Sequence, residues 1–120
     1  MEPKDTIEEL KRLALTFRDE RNWEQFHDLK NLAMGLSIEA AELMELFLWK
    51  DKKEAADYVT SESGKRRLEE EMADVLVYLL YLSAASGIDL ADATRRKIKL
   101  NAEKYPVGKC FNSNRKYTEL

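Results

Sequence analysis

The sequence predicts an all-α protein, and three observations carry that prediction. No proline stands between Pro3 and Pro106, so almost the whole chain is free of the strongest helix breaker. That stretch is rich in Leu, Ala, Glu and Lys, all good helix formers. Its apolar residues recur with a period near 3.6 and fall into arcs on helical wheels. At 120 residues, one domain over 1–120 is expected, with four main helices and an irregular tail over 107–120.

Taken in order, Thr6-Ile7-Glu8-Glu9 has the form of a capping box and opens the first helix. Ile7, Leu10, Leu13, Ala14 and Phe17 give that helix an apolar face as far as about Glu20. Arg21 to His27 breaks the period and reads as a connection, with two aromatics, Trp23 and Phe26, and the only histidine. The aromatics suit a core junction and a pocket lining equally well. Asp28 caps a second helix expected to run to about Trp49, with Leu32, Leu36, Leu43 and Leu46 on its apolar arc. Lys50 to Ser63 reads as a polar crossover with one helical turn at Lys53 to Tyr58.

Ser61 or Ser63 caps the third helix, and Gly87 ends it in the left-handed conformation. Leu68, Met72, Val75, Leu76 and Leu79 form its arc. From Val75 to Leu82 it is apolar nearly all round, which predicts burial on several sides and a subunit interface. Asp89 caps the fourth helix, which Pro106 stops near Tyr105. Lys97, Asn101 and Lys104 share one stripe of it, with Tyr105 at the edge. In the tail, Phe111, Tyr117 and Leu120 are the candidate anchors.

Composition excludes several function classes. Charged residues make up 36%, apolar ones 44%, and the net charge is −3, so no general affinity for nucleic acid is expected. Met1 to Asp5 is polar and acidic, unlike a signal peptide. Val75 to Leu82, the longest apolar run, is far short of the ~20 residues of a membrane span. Cys110 is the single cysteine; it has no intramolecular disulfide partner and no nearby His to activate it. A cytoplasmic location is expected from these features together.

Carboxylates carry the chemistry. Glu39 falls inside the apolar arc of the second helix, and Glu42 lies on its edge with Asn31, Gly35 and Trp49. On the third helix Glu71 sits at the arc's margin, with Asp74 three residues on. Removing water from a charge costs several kcal/mol or more, so inward acids call for a cation. Four carboxylates facing one another repel until divalent metal neutralises them, and all-oxygen ligands favour Mg²⁺, Mn²⁺ or Ca²⁺ over zinc. A di-iron bundle needs Glu-x-x-His on two helices, which a single histidine rules out. His27 is not expected to bind metal, since neighbouring acids lie outside helical ligand spacing. A basic stripe on the fourth helix and two tryptophans complete a site suited to a metal-bound nucleotide. No G-x-x-x-x-G-K-[ST] loop is present to cradle its phosphates.

The blocks ERNWEQFH, KNLAMGLSIEAAELMELFLWK, EEEMADVLVYLLYL, KIKLNAEKYPV and RKYTEL, in that order, resemble the MazG-like all-α nucleoside triphosphate pyrophosphohydrolases, closest to the dCTP pyrophosphatase branch. The resemblance implies a four-helix MazG-like bundle, assembled as a homodimer or as a homotetramer made of two dimers. It implies hydrolysis of a (deoxy)nucleoside triphosphate, dCTP or a modified dCTP favoured, to the monophosphate and pyrophosphate, as nucleotide-pool house-cleaning. It also implies Mg²⁺, with Mn²⁺ as a substitute, held by Glu39, Glu42, Glu71 and Asp74. Trp23, His27 and Trp49 would form a base pocket, and Lys97, Asn101 and Tyr105 would contact the nucleotide or its phosphates. Asn31 is a further contact, and Glu42 or Glu45 the candidate proton acceptor. One departure is Ile38-Glu39-Ala40-Ala41-Glu42-Leu43, where relatives carry G-E-V-G-E-L; the acids remain beside bulkier neighbours. Two other readings compete: a phosphoribosyl-ATP pyrophosphohydrolase, which shares the acid pairs, and a non-catalytic helical interaction module. The tryptophan pair speaks against the first, and an acid inside an apolar arc against the second.

Overall fold

The computed structural model describes residues 6–120; Met1–Asp5, with Pro3 and the segment read as unlike a signal peptide, lie outside the described residues. All regular structure in the described residues is helical, as expected. The chain divides into two compact units, one ending at Ile88 and the other spanning Asp89–Leu120.

Four helices make the first unit: α1 (Ile7–Glu20), α2 (Leu29–Glu45), α3 (Lys52–Thr60) and α4 (Glu62–Ser86). Each begins at a side-chain cap. Thr6 accepts from the Glu9 N–H and Asp28 from the Asn31 N–H. Asp51 and Glu54 form a reciprocal capping box, and Ser61 accepts from the Gly64 N–H. At the first of these, Glu9 pairs with Arg12. Of the two serines considered for α4, Ser61 is therefore the cap. Gly87 closes α4 at φ 72°, a conformation that only glycine adopts without strain.

Helix α4 is the axis of this unit and packs against α2, α1 and α3. Leu32 of α2 and Leu80 of α4 are the most deeply buried large side chains, 1% and 2% exposed. Ala14, Leu46 and Tyr81 complete the buried apolar set. Met72, expected on the buried arc of the third helix, is instead exposed. Gly35 allows the closest approach of α2 to α4, because a Cβ there would collide with the Tyr78 ring.

Two further expectations are corrected in this unit. The second helix ends at Glu45, not near Trp49; Leu46 to Trp49 form turns, and Trp49 sits at φ 63°. The cause is tertiary. Phe47 leaves the helix to meet the Tyr58 ring edge-on at 6.5 Å, and the capping box at Asp51 restarts the chain. The supposed crossover consequently contains a nine-residue helix, α3, rather than one turn.

The second unit holds α5 (Leu90–Lys104), capped by Asp89, and a short α6 (Val107–Cys110) just past Pro106. The tail read as irregular thus has one helical turn and a 3₁₀ turn at Tyr117–Glu119. Tyr117 is the tail's anchor here: its ring meets Tyr105 at 5.9 Å and lies under the Lys104 ammonium at 4.8 Å. Phe111 remains exposed.

Candidate active site

Helical spacing puts Glu39 and Glu42 on one edge of α2, and α4 brings Glu71 up to them. One carboxylate oxygen from each of the three lies within 4.8 Å of the others. One oxygen each of Glu39 and Glu71 is buried without a hydrogen-bond partner among the described residues. Such atoms are costly to bury unless something neutralises them.

The electrostatics record that cost. Burial raises the Glu39 carboxyl from an ordinary 4.5 to about 7, reinforced by a hydrogen bond with Glu42 and by repulsion from Glu42, Asp74 and Glu71. Burial also raises Glu71, with help from Glu42 and Asp74 and against the pull of Arg67. The folded apo protein therefore holds the Glu39 proton more tightly than the unfolded chain does. This contribution to stability is complete below about pH 4.5 and is lost as pH rises through about 7.

Asp74 is exposed and outside the mutual 4.8 Å set, although its charge is felt by Glu39 and Glu71. It lies in an apolar groove between α1 and α4, lined by Leu13, Phe17 and Leu76 among others.

A cavity of about 350 Å³, whose Leu32 and Tyr78 stand about two helical turns from Glu39 and Glu71 along α2 and α4, is lined by Trp23, Phe26, His27, Asn31, Leu32 and Tyr78. The 3₁₀ turn Glu24–Phe26 and the Asp28 cap place the first of these. Asp28 also accepts from the Asn31 side-chain amide at 2.7 Å, fixing that residue's orientation. The His27 ring lies 4.5 Å from Tyr81, and its Nδ1 is buried without a partner among the described residues. Burial, then Arg18, lowers the His27 pKa against a smaller pull from Glu24, so the ring is neutral at pH 7.

Trp49 is not in this cavity: it is 91% exposed, in a left-handed conformation that a tryptophan rarely adopts. Lys97 and Asn101 are exposed on α5, and Tyr105 is at its C-cap, all in the second unit.

The sequence model of the MazG-like family matches residues 35–120, which include Glu39, Glu42, Glu71 and Asp74. The chain belongs to the MazG-like family. Human dCTP pyrophosphatase 1 is 42% identical over 118 residues, 98% of this chain and 69% of that protein. The mouse protein of the same name is 41% identical over the same shares. Among solved structures, a pyrophosphatase from Archaeoglobus fulgidus DSM 4304 superposes with a TM-score of 0.79 at 40% identity. That match covers 88% of this chain and 97% of the other.

In this MazG-like chain the carboxylates suit a hard divalent cation. Three oxygen donors converge, two with an orphaned buried atom, and no thiolate or imidazole is among them. Of the cavity's aromatic residues, Tyr78 is the one the sequence does not point to. Tyr78 was hidden inside the apolar run of α4, and its one signal was Gly35 on the facing helix.

Proposed function

We propose that this chain is a divalent-metal-dependent nucleoside triphosphate pyrophosphatase, acting on dCTP or a modified dCTP. The observation that carries this reading is the convergence of Glu39, Glu42 and Glu71, with an aromatic cavity about two helical turns away along α2 and α4. Relatives named dCTP pyrophosphatase 1, about two-fifths identical over nearly the whole chain, support the base assignment.

In the proposed mechanism, Glu39, Glu42 and Glu71, with Asp74 as a fourth acid, would hold Mg²⁺. Bound there, the ion would supply charge neutralisation at the phosphates and a lowered pKa for water. The chain's own residues do the rest. Trp23 offers a flat face for the base, and Asn31, pinned by Asp28, offers both a donor and an acceptor. His27, neutral, offers one of each as well. Tyr78 and Leu32 close the inner wall of the cavity and exclude water. Glu45 borders the acids and is the candidate proton acceptor alongside Glu42. Trp49, Lys97, Asn101 and Tyr105 are assigned to the nucleotide on the family resemblance alone.

Product analysis tests the reaction. Incubated with each nucleoside triphosphate and Mg²⁺, the protein is expected to give the monophosphate and pyrophosphate, fastest with dCTP or a modified dCTP. Release of orthophosphate, or no turnover of any triphosphate, overturns the reading.

Assembly as a homodimer or a dimer of dimers belongs to the same proposal. It is supported by the apolar groove of about 430 Å³ between α1 and α4, beside which Leu13, Phe17 and Met72 stay exposed. Sedimentation at micromolar concentration is expected to give a dimer or tetramer; a stable monomer contradicts it.

A further inference from the structure

The acids open onto a second cavity that the aromatic site does not use. Its volume is about 400 Å³, and its lining includes Glu42 and Glu71 together with Lys50, Tyr58 and Arg67. We propose that this cavity is the pyrophosphate subsite, where Lys50 and Arg67 receive the β- and γ-phosphates of the bound triphosphate. The assignment rests on the pyrophosphohydrolase reading above.

Position is the first argument. Helices α2 and α4 run antiparallel: Asn31 and Tyr78 share the aromatic cavity at one end, and Leu46 and Arg67 share the polar cavity at the other. Glu39, Glu42 and Glu71 lie between. A nucleotide whose base enters the aromatic end and whose α-phosphate meets the acids has its remaining phosphates directed to the basic end. Hydrolysis transfers a water oxygen to the α-phosphorus, breaks the bond from that phosphorus to the bridging oxygen, and leaves the electron pair on pyrophosphate. The water's protons pass to a carboxylate or to solvent. Charge therefore grows on the group that this cavity would hold.

The second argument is the state of the two cations. Lys50 is half-buried; its Nζ donates to the Leu46 carbonyl at 2.7 Å and lies 4.5 Å above the Tyr58 ring. Neither Lys50 nor Arg67 forms an ion pair among the described residues, although Glu42, Glu45 and Glu71 line the same cavity. The adjacent Arg66, by contrast, pairs with Glu62 at 3.7 Å. An Arg fork and a Lys point charge facing one polar space match a phosphate chain better than they match a solvated face.

Calorimetric titration of Mg²⁺-pyrophosphate and, separately, of dCMP into wild type, Arg67→Gln and Lys50→Gln tests the proposal. Each variant is expected to bind pyrophosphate roughly tenfold more weakly, with dCMP affinity unchanged. Arg67 is exposed in mid-helix and Gln is a good helix former, so that variant keeps the fold and decides the test even if Lys50→Gln does not fold. Wild-type pyrophosphate affinity in Arg67→Gln, equal weakening of both ligands, or no binding of pyrophosphate to wild type overturns the subsite. Product analysis on the same preparations separates the two levels. Wild type that releases pyrophosphate while Arg67→Gln keeps its affinity loses the subsite alone; wild type that releases none loses the parent reading.

Discussion

Glu71→Gln is expected to lower turnover of dCTP on the order of 100-fold or more, since even indirect partners of a metal ligand cost 10–100-fold. Glu39→Gln, Glu42→Gln and Asp74→Asn should follow, because each removes a negative charge from the same cluster. The informative readout is stability without metal. Wild type holds an uncompensated proton balance at Glu39, so its melting temperature should fall between about pH 5 and 8 as the raised carboxyl ionises. Glu39→Gln lacks that ionisation, and its melting temperature should fall less over the range and exceed wild type at pH 8. Millimolar Mg²⁺ should raise the wild-type melting temperature and leave the variant's nearly unmoved. Near-normal turnover in two of the four variants at saturating Mg²⁺ would falsify the metal assignment.

Trp23→Ala carries the second large effect. Stacking contributes about 1–3 kcal/mol per base, so loss of this face should raise KM for dCTP by about 10-fold or more. Trp23 is 43% exposed at the mouth of the cavity, and Phe17 meets it edge-on at 5.8 Å from behind. Truncation therefore removes the base contact while Ala14, Leu32 and Leu80 keep the core. A non-hydrolysable dCTP analogue with Mg²⁺ should quench wild-type fluorescence, and Trp23→Ala should lose most of that signal. The same titration on Trp49→Ala reads out the other tryptophan, which this chain alone leaves in solvent. A full quench in Trp23→Ala, with dCTP still turned over, moves the base away from this cavity.

The contrast between the two tryptophans shows where sequence reading stopped. Caps are local: Thr6, Asp28, Ser61 and Asp89 each accept from an N–H three residues on, so those helix starts are legible from adjacent residues. The acid pairs are legible for a similar reason. Residues three apart share a helix face whatever surrounds them, which puts Glu39 beside Glu42 before any fold is known. Glu71 could be matched to them because it stands at the margin of its helix's apolar arc with a second acid, Asp74, three residues on.

What lay beyond the sequence depended on contacts between residues distant along the chain. Helical periodicity continues through Leu46 to Trp49, yet α2 stops at Glu45, because Phe47 turns out to Tyr58 and the Asp51 cap restarts the chain. That early stop takes Trp49 off the face shared with Asn31 and Glu42. It also brings Lys50 back over the end of α2, into the cavity that Arg67 lines. By itself, then, the sequence determined an all-α chain, the starts of α1, α2 and α5, and the acid pairs on α2 and α4, since each follows from spacing within one helix. Only the tertiary structure decided which aromatics form a cavity, how far Asp74 stands from the other three acids, and which cations share a space with them. Those depend on how α2 and α4 meet, and helical period carries no information about that register.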